Sequence, residues 1–261
     1  MTTAQITREL DNQPLPLEPL DPSLFRPSPT EWAFLREAIS VDEEEVRKRV
    51  LVAQNETYTR YPYPCIRWFH FTNLFMSTNP IYPTVLAAAK ASGDTLFLDL
   101  GCCMGTDVRK LVKDGYPPER VAGCDLRRAF IDACYTLFND SPSTCAITFL
   151  TSDIFEINLD PSPPHPSTRP FNEATSLDDL RGRLSHVYSG ALFHLFNEET
   201  QSALAARLAR LLRVPPGRAI GDAPAAGGII FGRHQGKETP GLIDDAMGRY
   251  EKAFIFCPFF F

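Results

Sequence analysis

Short apolar runs alternate with amphipathic stretches from Thr95 onward, and this alternation restricts the possible folds more than any other feature of the chain. The predicted strands are 95–100, 120–125, 146–151, 186–193 and 227–232, and the predicted helices lie near 105–114, 127–138 and 197–213. Strands that alternate with helices form parallel sheets covered by helices. The predicted fold class is therefore α/β, a Rossmann-like parallel sheet with helices on both faces.

The first predicted strand runs directly into the turn Asp99-Leu-Gly101-Cys-Cys-Met-Gly105, which precedes a helix. Gly101 permits a sharp turn, and Gly105 lets the helix begin close to a ligand. The N-terminus of that helix offers unpaired backbone N–H groups. Asp99 ends the strand where it can meet a positively charged group. We therefore predict that Asp99, Gly101, Cys102 and Gly105 bind a cofactor.

Two further acids follow at the ends of the next predicted strands. Asp125 lies where a carboxylate can accept both hydroxyls of a ribose. The third strand ends in Ser152-Asp153-Ile154, which places another acid at the same edge, where an adenine amino group would lie. Three acids at successive strand ends predict one shared crevice.

The middle of the turn distinguishes between nucleotide ligands. A dinucleotide site needs glycine there so that the pyrophosphate can approach the backbone, and this chain has Cys103. A cationic sulfonium with an ammonium group is attracted by acids and brings no phosphate. The pattern favours S-adenosylmethionine, and an NAD-dependent oxidoreductase stays open as an alternative because it shares the nucleotide-binding topology.

The residues before Thr95 divide into two predicted parts. Residues 1–29 are rich in proline and predict an N-terminal arm, residues 30–93 predict a helical and aromatic cap, and 94–261 would form the cofactor-binding domain. In the cap, Ser40 and Glu43 predict a capping box at a helix start. The segment 58–71 contains two prolines and six aromatic residues, so we expect no regular element but a lid on the core or a pocket wall.

Composition excludes several classes of function. The net charge of −6 comes from interspersed acidic and basic residues, which disfavours nucleic acid as a partner. The chain has neither a signal-peptide core nor an apolar run of membrane-spanning length, so we expect a soluble, cytoplasmic protein. Its seven cysteines show no paired C-x-x-C spacing, so we expect reduced thiols and no metal site.

The motifs resemble those of a known family. The turn at 99–105, Asp125 and Asp153 look like motifs I, II and III of the class I methyltransferases. Over Tyr61 to Gly236 the chain is similar to fungal methyltransferases of secondary-metabolite clusters, particularly those of meroterpenoid pathways. The segments that carry this resemblance are YPYPCIRWFHF, FLDLGCCMGTDVRKLVKDGYP, CDL at 124–126, FLTSDIFE, ALFHLFNEETQ and IIFGRHQG.

The resemblance implies roles for individual residues and a reaction. Asp99 and Gly101 would contact the methionine portion of S-adenosylmethionine, and Asp125 and Leu126 the ribose. The stretch Ser152-Asp153-Ile154 would contact the adenine. The implied reaction is O-methylation, often of a carboxyl group on a polyketide- or terpenoid-derived intermediate. Such enzymes commonly form homodimers, so the resemblance is compatible with a homodimer.

Two departures from the family pattern affect the expected fold. The loop 214–228 is longer than the usual turn before the fifth strand. Few residues follow that strand, so the closing antiparallel hairpin is expected to be missing or reduced to one strand. A cofactor-binding but inactive, truncated relative is therefore an alternative function.

The acceptor side of the site offers weaker signals. A carboxylate acceptor needs no base, whereas a phenol or alcohol does, and the candidate bases are His194 after the fourth strand and His70 in the aromatic segment. The residues predicted to line the substrate pocket are Trp68, Ser189, Phe193 and His234. For side chains of this kind a structural role in the core is the more frequent one.

Overall fold

The computed structural model describes residues 18–159, 167–213, 228–235, 241–243 and 253–255. Its centre is a parallel sheet of five strands in the order β3-β2-β1-β4-β5. The strands are β1 (Phe97–Leu100), β2 (Val121–Asp125), β3 (Thr148–Thr151), β4 (His186–Gly190) and β5 (Ile229–Arg233). The chain order reverses between β1 and β4, which creates a switch point where ligands of such sheets bind. The predicted Rossmann-like α/β fold is confirmed.

Every observed strand is shorter than predicted, and the difference is largest in the fourth. The fourth strand was predicted over 186–193, but β4 ends at Gly190 and Phe193–Leu195 forms a 3-10 turn. Ala191 has a positive φ of 56°, which directs the chain away from the sheet. The apolar run therefore continues past the strand because its last residues pack in a turn.

Helices cover both faces of the sheet. They are α1 (Pro29–Ala38), α2 (Glu43–Arg60), α3 (Pro64–Arg67), α4 (Tyr82–Ala91), α5 (Thr106–Lys113), α6 (Arg128–Phe138) and α7 (Glu198–Leu211). Leu98 and Leu100 of β1 share a core with Leu204 and Leu208 of α7. Phe97, from the opposite face of β1, shares a second core with residues of α4 and α5. Burying each such side chain contributes about 1.5 to 3 kcal/mol to the stability of the fold.

The N-terminal helices differ in detail from the prediction. Helix α2 begins at Glu43, and its cap is Asp42, which accepts a hydrogen bond from the backbone N–H of Glu44 at 3.0 Å. Ser40 instead accepts from the N–H of Asp42 at 3.2 Å, so the predicted capping box does not form. The segment 58–71 is also more regular than predicted, because α2 continues to Arg60 and α3 starts on Pro64, where a helix needs no N–H.

The N-terminal helices and the aromatic segment pack on α6 and on the turn after β1. Val46 and Val50 of α2, Ile66 of α3 and Met104 of the turn are fully buried in one core cluster. Phe25 packs against Phe69 with ring centroids 5.3 Å apart. The aromatic segment therefore belongs to the folded body, while the domain boundaries at 29/30 and 93/94 stay a prediction.

The C-terminal part contains two further short strands. β6 (Gly241–Ile243) and β7 (Ala253–Ile255) pair antiparallel and form a sheet of their own. The sequence predicted at most one strand here, whereas the structure has two of three residues each, and neither joins the five-stranded sheet. The loop 214–227 lies outside the described residues. In the described part of the chain, no helix has the length and apolar character to cross a membrane.

Candidate active site

The turn after β1 is anchored to the end of β2. The backbone N–H groups of Gly101 and Cys102 both donate to the carbonyl oxygen of Cys124, at 2.8 and 3.0 Å. Gly101, Cys103 and Gly105 all have positive φ, at 83°, 51° and 68°. The turn therefore keeps a tight, fixed shape at the carboxyl edge of the sheet.

The two glycines of the turn serve different purposes. A Cβ on Gly101 would make only an ordinary van der Waals contact, with Leu192 at 4.0 Å, so its positive φ of 83° is the reason for glycine there. A Cβ on Gly105 would lie 2.7 Å from the Phe149 ring. Packing against the core and the positive φ therefore both favour glycine at 105, and its contact with a cofactor stays a prediction.

Asp125 ends β2 and joins the turn to the following helix. Its Oδ2 accepts from the backbone N–H of Cys103 and its Oδ1 from that of Arg127, both at 2.9 Å. Burial raises the pKa of Asp125, and these hydrogen bonds oppose that rise. Each oxygen still has a lone pair for another donor. The N–H of Cys103 serves this carboxylate, so it does not point freely toward a phosphate.

Asp99 is the most deeply buried of the predicted acids, with 3% of its surface exposed. Burial raises its pKa well above the ordinary value, and the nearby charges of Asp107 and Asp125 add to the rise. Among the described residues no donor is within hydrogen-bond distance of its carboxylate. A cationic group at this position would stabilise the charged form.

The third acid lies at the end of β3. Asp153 caps the 3-10 turn Ile154–Glu156 by accepting from the N–H of Phe155 at 2.9 Å. Ser152 Oγ accepts from the N–H of Leu177 at 3.2 Å, and Ile154 is buried. The side chains of Leu126 and Asp153 are half-buried.

The three acids lie at the carboxyl ends of neighbouring strands. Asp99 is in β1, Asp125 ends β2 and Asp153 follows β3 by two residues. The strands pair in the register Asp99 with Gly123 and Asp125 with Thr151. Burial raises the pKa of the Cys124 thiol, and the charges of these acids add to the rise. The structure therefore brings the predicted acids together around the ends of β1, β2 and β3.

The predicted acceptor-side residues are more dispersed. His194 and Phe193 occupy the turn Phe193–Leu195 after β4, and the His234 ring lies 6.4 Å from that of Phe193. Ser189 is buried, and its hydroxyl has no hydrogen-bond partner among the described residues. Trp68 remains 49% exposed.

His70, the second candidate base, begins the turn His70–Thr72. Its ring is 6.0 Å from that of Phe75. Burial and the charge of Arg233 lower its pKa, so this imidazole is neutral near pH 7 and can accept a proton.

Three functional candidates were missed in the sequence. Asp107, in the first turn of α5, accepts from the N–H of Met76 at 3.0 Å, and burial raises its pKa to about 7. Tyr188 of β4 is 2% exposed, and its hydroxyl has no partner among the described residues. Arg233 ends β5 with its guanidinium 3.7 Å from the centre of the Phe75 ring. Arg233 could have been found by its position, because it ends a strand at the same edge as the acids.

Comparison with known proteins agrees with the resemblance of the motifs. Residues 20–72 match the family described as the meroterpenoid methyltransferase N-terminal domain. The chain is 35% identical over 203 residues to the O-methyltransferase phiE of Fungal sp., covering 78% of this chain and 61% of that protein. It is 32% identical over 188 residues to the Asnovolin E/Chermesin D methyltransferase nvfJ of Aspergillus novofumigatus, covering 72% of this chain and 61% of that protein.

These matches span only part of the relatives. The aligned region is about three fifths of the length of phiE and of nvfJ. Among solved structures, the S-adenosylmethionine-dependent methyltransferase from Mesorhizobium loti is 17% identical, covers 69% of this chain and 65% of its own, and has a TM-score of 0.37. Over 72 to 78% of its length, this chain is therefore similar to fungal methyltransferases.

Proposed function

We propose that this chain binds S-adenosylmethionine at the ends of β1, β2 and β3 and transfers its methyl group to an oxygen of a small apolar molecule. The observation that carries the proposal is the meeting of Asp99, Asp125 and Asp153 at the carboxyl ends of β1, β2 and β3. A cationic ligand is favoured where several carboxylates share one region.

The side chains present fit this cofactor. Asp125 has a lone pair left on each oxygen, which suits the two ribose hydroxyls, with Leu126 beside them. Asp153 and the adjoining Ser152 and Ile154 would hold the adenine. Asp99 would pair with the ammonium group of the methionine portion, next to Gly101 and Cys102.

NAD fits this turn less well. The backbone N–H of Cys103 donates to Asp125, and the residue carries a side chain where a pyrophosphate would need glycine. An oxidoreductase remains a weaker candidate on these grounds.

When bound, S-adenosylmethionine supplies a methyl group on a positively charged sulfur. The chain's own residues then have to orient the acceptor oxygen and exclude water, because the displacement neutralises charge. We propose a carboxyl group as the acceptor, since a carboxylate needs no base. For a phenol or alcohol, His194 or the neutral His70 would take the proton.

The acceptor itself is proposed to be terpenoid- or polyketide-derived. This is supported by the description of the family that residues 20–72 match and by the name of the relative nvfJ. Trp68, Ser189, Phe193 and His234 are proposed to line its pocket. The chain spans about three fifths of the length of these relatives, and its methyltransferase activity is proposed together with the binding site.

Calorimetric titration of the full chain with S-adenosylhomocysteine tests the cofactor assignment. We expect saturable binding, with no comparable binding of NADH. Well-folded protein that binds NADH and gives no heat with S-adenosylhomocysteine would overturn the proposal. Incubation with methyl-labelled S-adenosylmethionine and a panel of terpenoid carboxylic acids then tests transfer, because an inactive relative would bind cofactor but give no labelled ester.

A further inference from the structure

A second polar cluster lies beside the acids, at the ends of β4 and β5. It consists of His70, Phe75, Asp107, Tyr188 and Arg233, and we call it the arginine cluster. Arg233 pairs in register with Gly190, the residue next to the Tyr188 hydroxyl. Arg233 lies over the Phe75 ring at 3.7 Å, and the His70 ring is 6.0 Å from the same ring. Met76, the neighbour of Phe75, donates its N–H to Asp107 at 3.0 Å. The cluster thus joins the aromatic segment, α5 and two strand ends.

Arg233 is an available cation within this cluster. Its side chain is exposed, and among the described residues it forms no ion pair within 4.0 Å. Stacking on Phe75 covers one face of the guanidinium and leaves the N–H groups in its plane free to bind an anion. A planar fork of this kind matches the two oxygens of a carboxylate.

Tyr188 supplies a second donor from inside the sheet. It pairs in register with Asp99, and its ring packs 5.1 Å from Phe231. A Cβ on Gly190 would lie 2.9 Å from the hydroxyl oxygen, so the hydroxyl reaches toward the carboxyl end of β4. It is buried without a partner among the described residues, and such a group is costly unless a ligand completes it.

We propose that Arg233 and the Tyr188 hydroxyl bind the carboxylate of the acceptor, with Phe75 holding the guanidinium in place. This inference rests on the proposed function and names the residues that bind its carboxylate acceptor. The site then separates charge: the cationic cofactor faces Asp99, Asp125 and Asp153, and the anionic acceptor faces Arg233.

Asp107 is the one member of the arginine cluster that can repel an anion. Burial raises its pKa to about 7, so near neutral pH a large share of its carboxyl groups is uncharged. Its Oδ1 is also bound to the N–H of Met76. Asp107 is therefore compatible with a bound carboxylate.

The test uses two probes that share an apolar body, farnesoic acid and farnesol. Their binding to the full chain is measured by calorimetry in the presence of saturating S-adenosylhomocysteine. We expect farnesoic acid to bind at least about tenfold more tightly than farnesol. Arg233→Gln should remove that preference and leave farnesol binding unchanged. Arg36→Gln, an exposed arginine on α1 that pairs with Glu43, is the matched control and should change neither.

Tyr188→Phe separates binding from structure, since it removes only the hydroxyl. In the free protein the melting temperature should stay the same or rise, because an unpartnered buried hydroxyl is lost. Affinity for farnesoic acid should fall about three- to tenfold, while affinity for farnesol holds. A purely structural tyrosine would alter stability and leave the acid-to-alcohol ratio unchanged.

The outcomes distinguish failure of the proposed function from failure of the carboxylate site. No binding of S-adenosylhomocysteine to the wild type would remove the proposed function. If S-adenosylhomocysteine binds but both probes bind equally or neither binds, or if Arg233→Gln leaves the preference intact, the carboxylate site is refuted and the cofactor assignment stands.

Discussion

Replacement of Asp125 by alanine tests whether this carboxylate holds a ribose. The variant would lose the hydrogen bonds to two hydroxyls, which together contribute about 1 to 3 kcal/mol to cofactor binding. At 1.36 kcal/mol for each factor of ten, affinity for S-adenosylhomocysteine should fall between about 5- and 150-fold. The N–H groups of Cys103 and Arg127 would also lose their acceptor, so the free protein should lose about 1 to 3 kcal/mol of stability.

Calorimetry with S-adenosylhomocysteine and urea unfolding of the free protein measure these two effects separately. Asp125→Asn keeps one acceptor oxygen and should give a smaller loss of affinity. Asp132→Ala is the matched control, because Asp132 pairs with Arg128 on the exposed face of α6. A folded Asp125→Ala variant that binds S-adenosylhomocysteine as tightly as wild type would refute the assignment of Asp125 to the ribose.

Three further predictions concern stability and are measured by urea unfolding. Gly105→Ala should lower the free energy of unfolding by about 2 to 5 kcal/mol, because the alanine has to adopt a positive φ and its Cβ lies 2.7 Å from an aromatic ring. Gly93→Ala is the control and should change it little, because a Cβ there has nothing within 4 Å. Burial raises the pKa of the Asp107 carboxyl to about 7 from 3.8, so the folded protein binds this proton more tightly than the unfolded chain does. The free energy of unfolding should therefore fall as pH rises from about 4 to about 7. Asp107→Asn should flatten this decline in titrations at several pH values. Asp140→Ala should cost about 1.5 to 3 kcal/mol, because it removes the carboxylate 2.8 Å from the guanidinium of Arg109, whose side chain is 9% exposed.

The acids of the cofactor region were predictable because of the sheet. Asp99, Asp125 and Asp153 each end an apolar run, and the carboxyl ends of parallel strands meet at one edge. Strand periodicity therefore places these side chains without knowledge of distant contacts. Their assignment to the cofactor remains a prediction, while their common location follows from the topology.

Asp107 could not be predicted in the same way. A charged residue in the first turn of a helix is typical of a solvent-facing position next to the helix dipole. Here the backbone of Met76, 31 residues earlier, covers it and donates to its carboxylate. Burial at this position results from tertiary packing, which no local pattern encodes.

The sequence pattern also assigned the cap of α2 to the wrong residue. Ser40 and Asp42 are both good capping residues, and the sequence pattern of Ser40 and Glu43 favoured the first. In the structure the carboxylate of Asp42 caps the helix and Ser40 binds the N–H of Asp42. Both side chains therefore accept the backbone N–H two residues later, and only the bond of Asp42 lies at the start of the helix.

The aromatic segment and the residues after it connect the two sides of the site. Thr106, at the start of α5, donates its hydroxyl to the carbonyl of Phe71, and Asp107 accepts from Met76. Asn79 donates to the carbonyl of Gly232 at 2.9 Å, next to Arg233. One stretch of chain therefore braces both the cofactor turn and the end of β5.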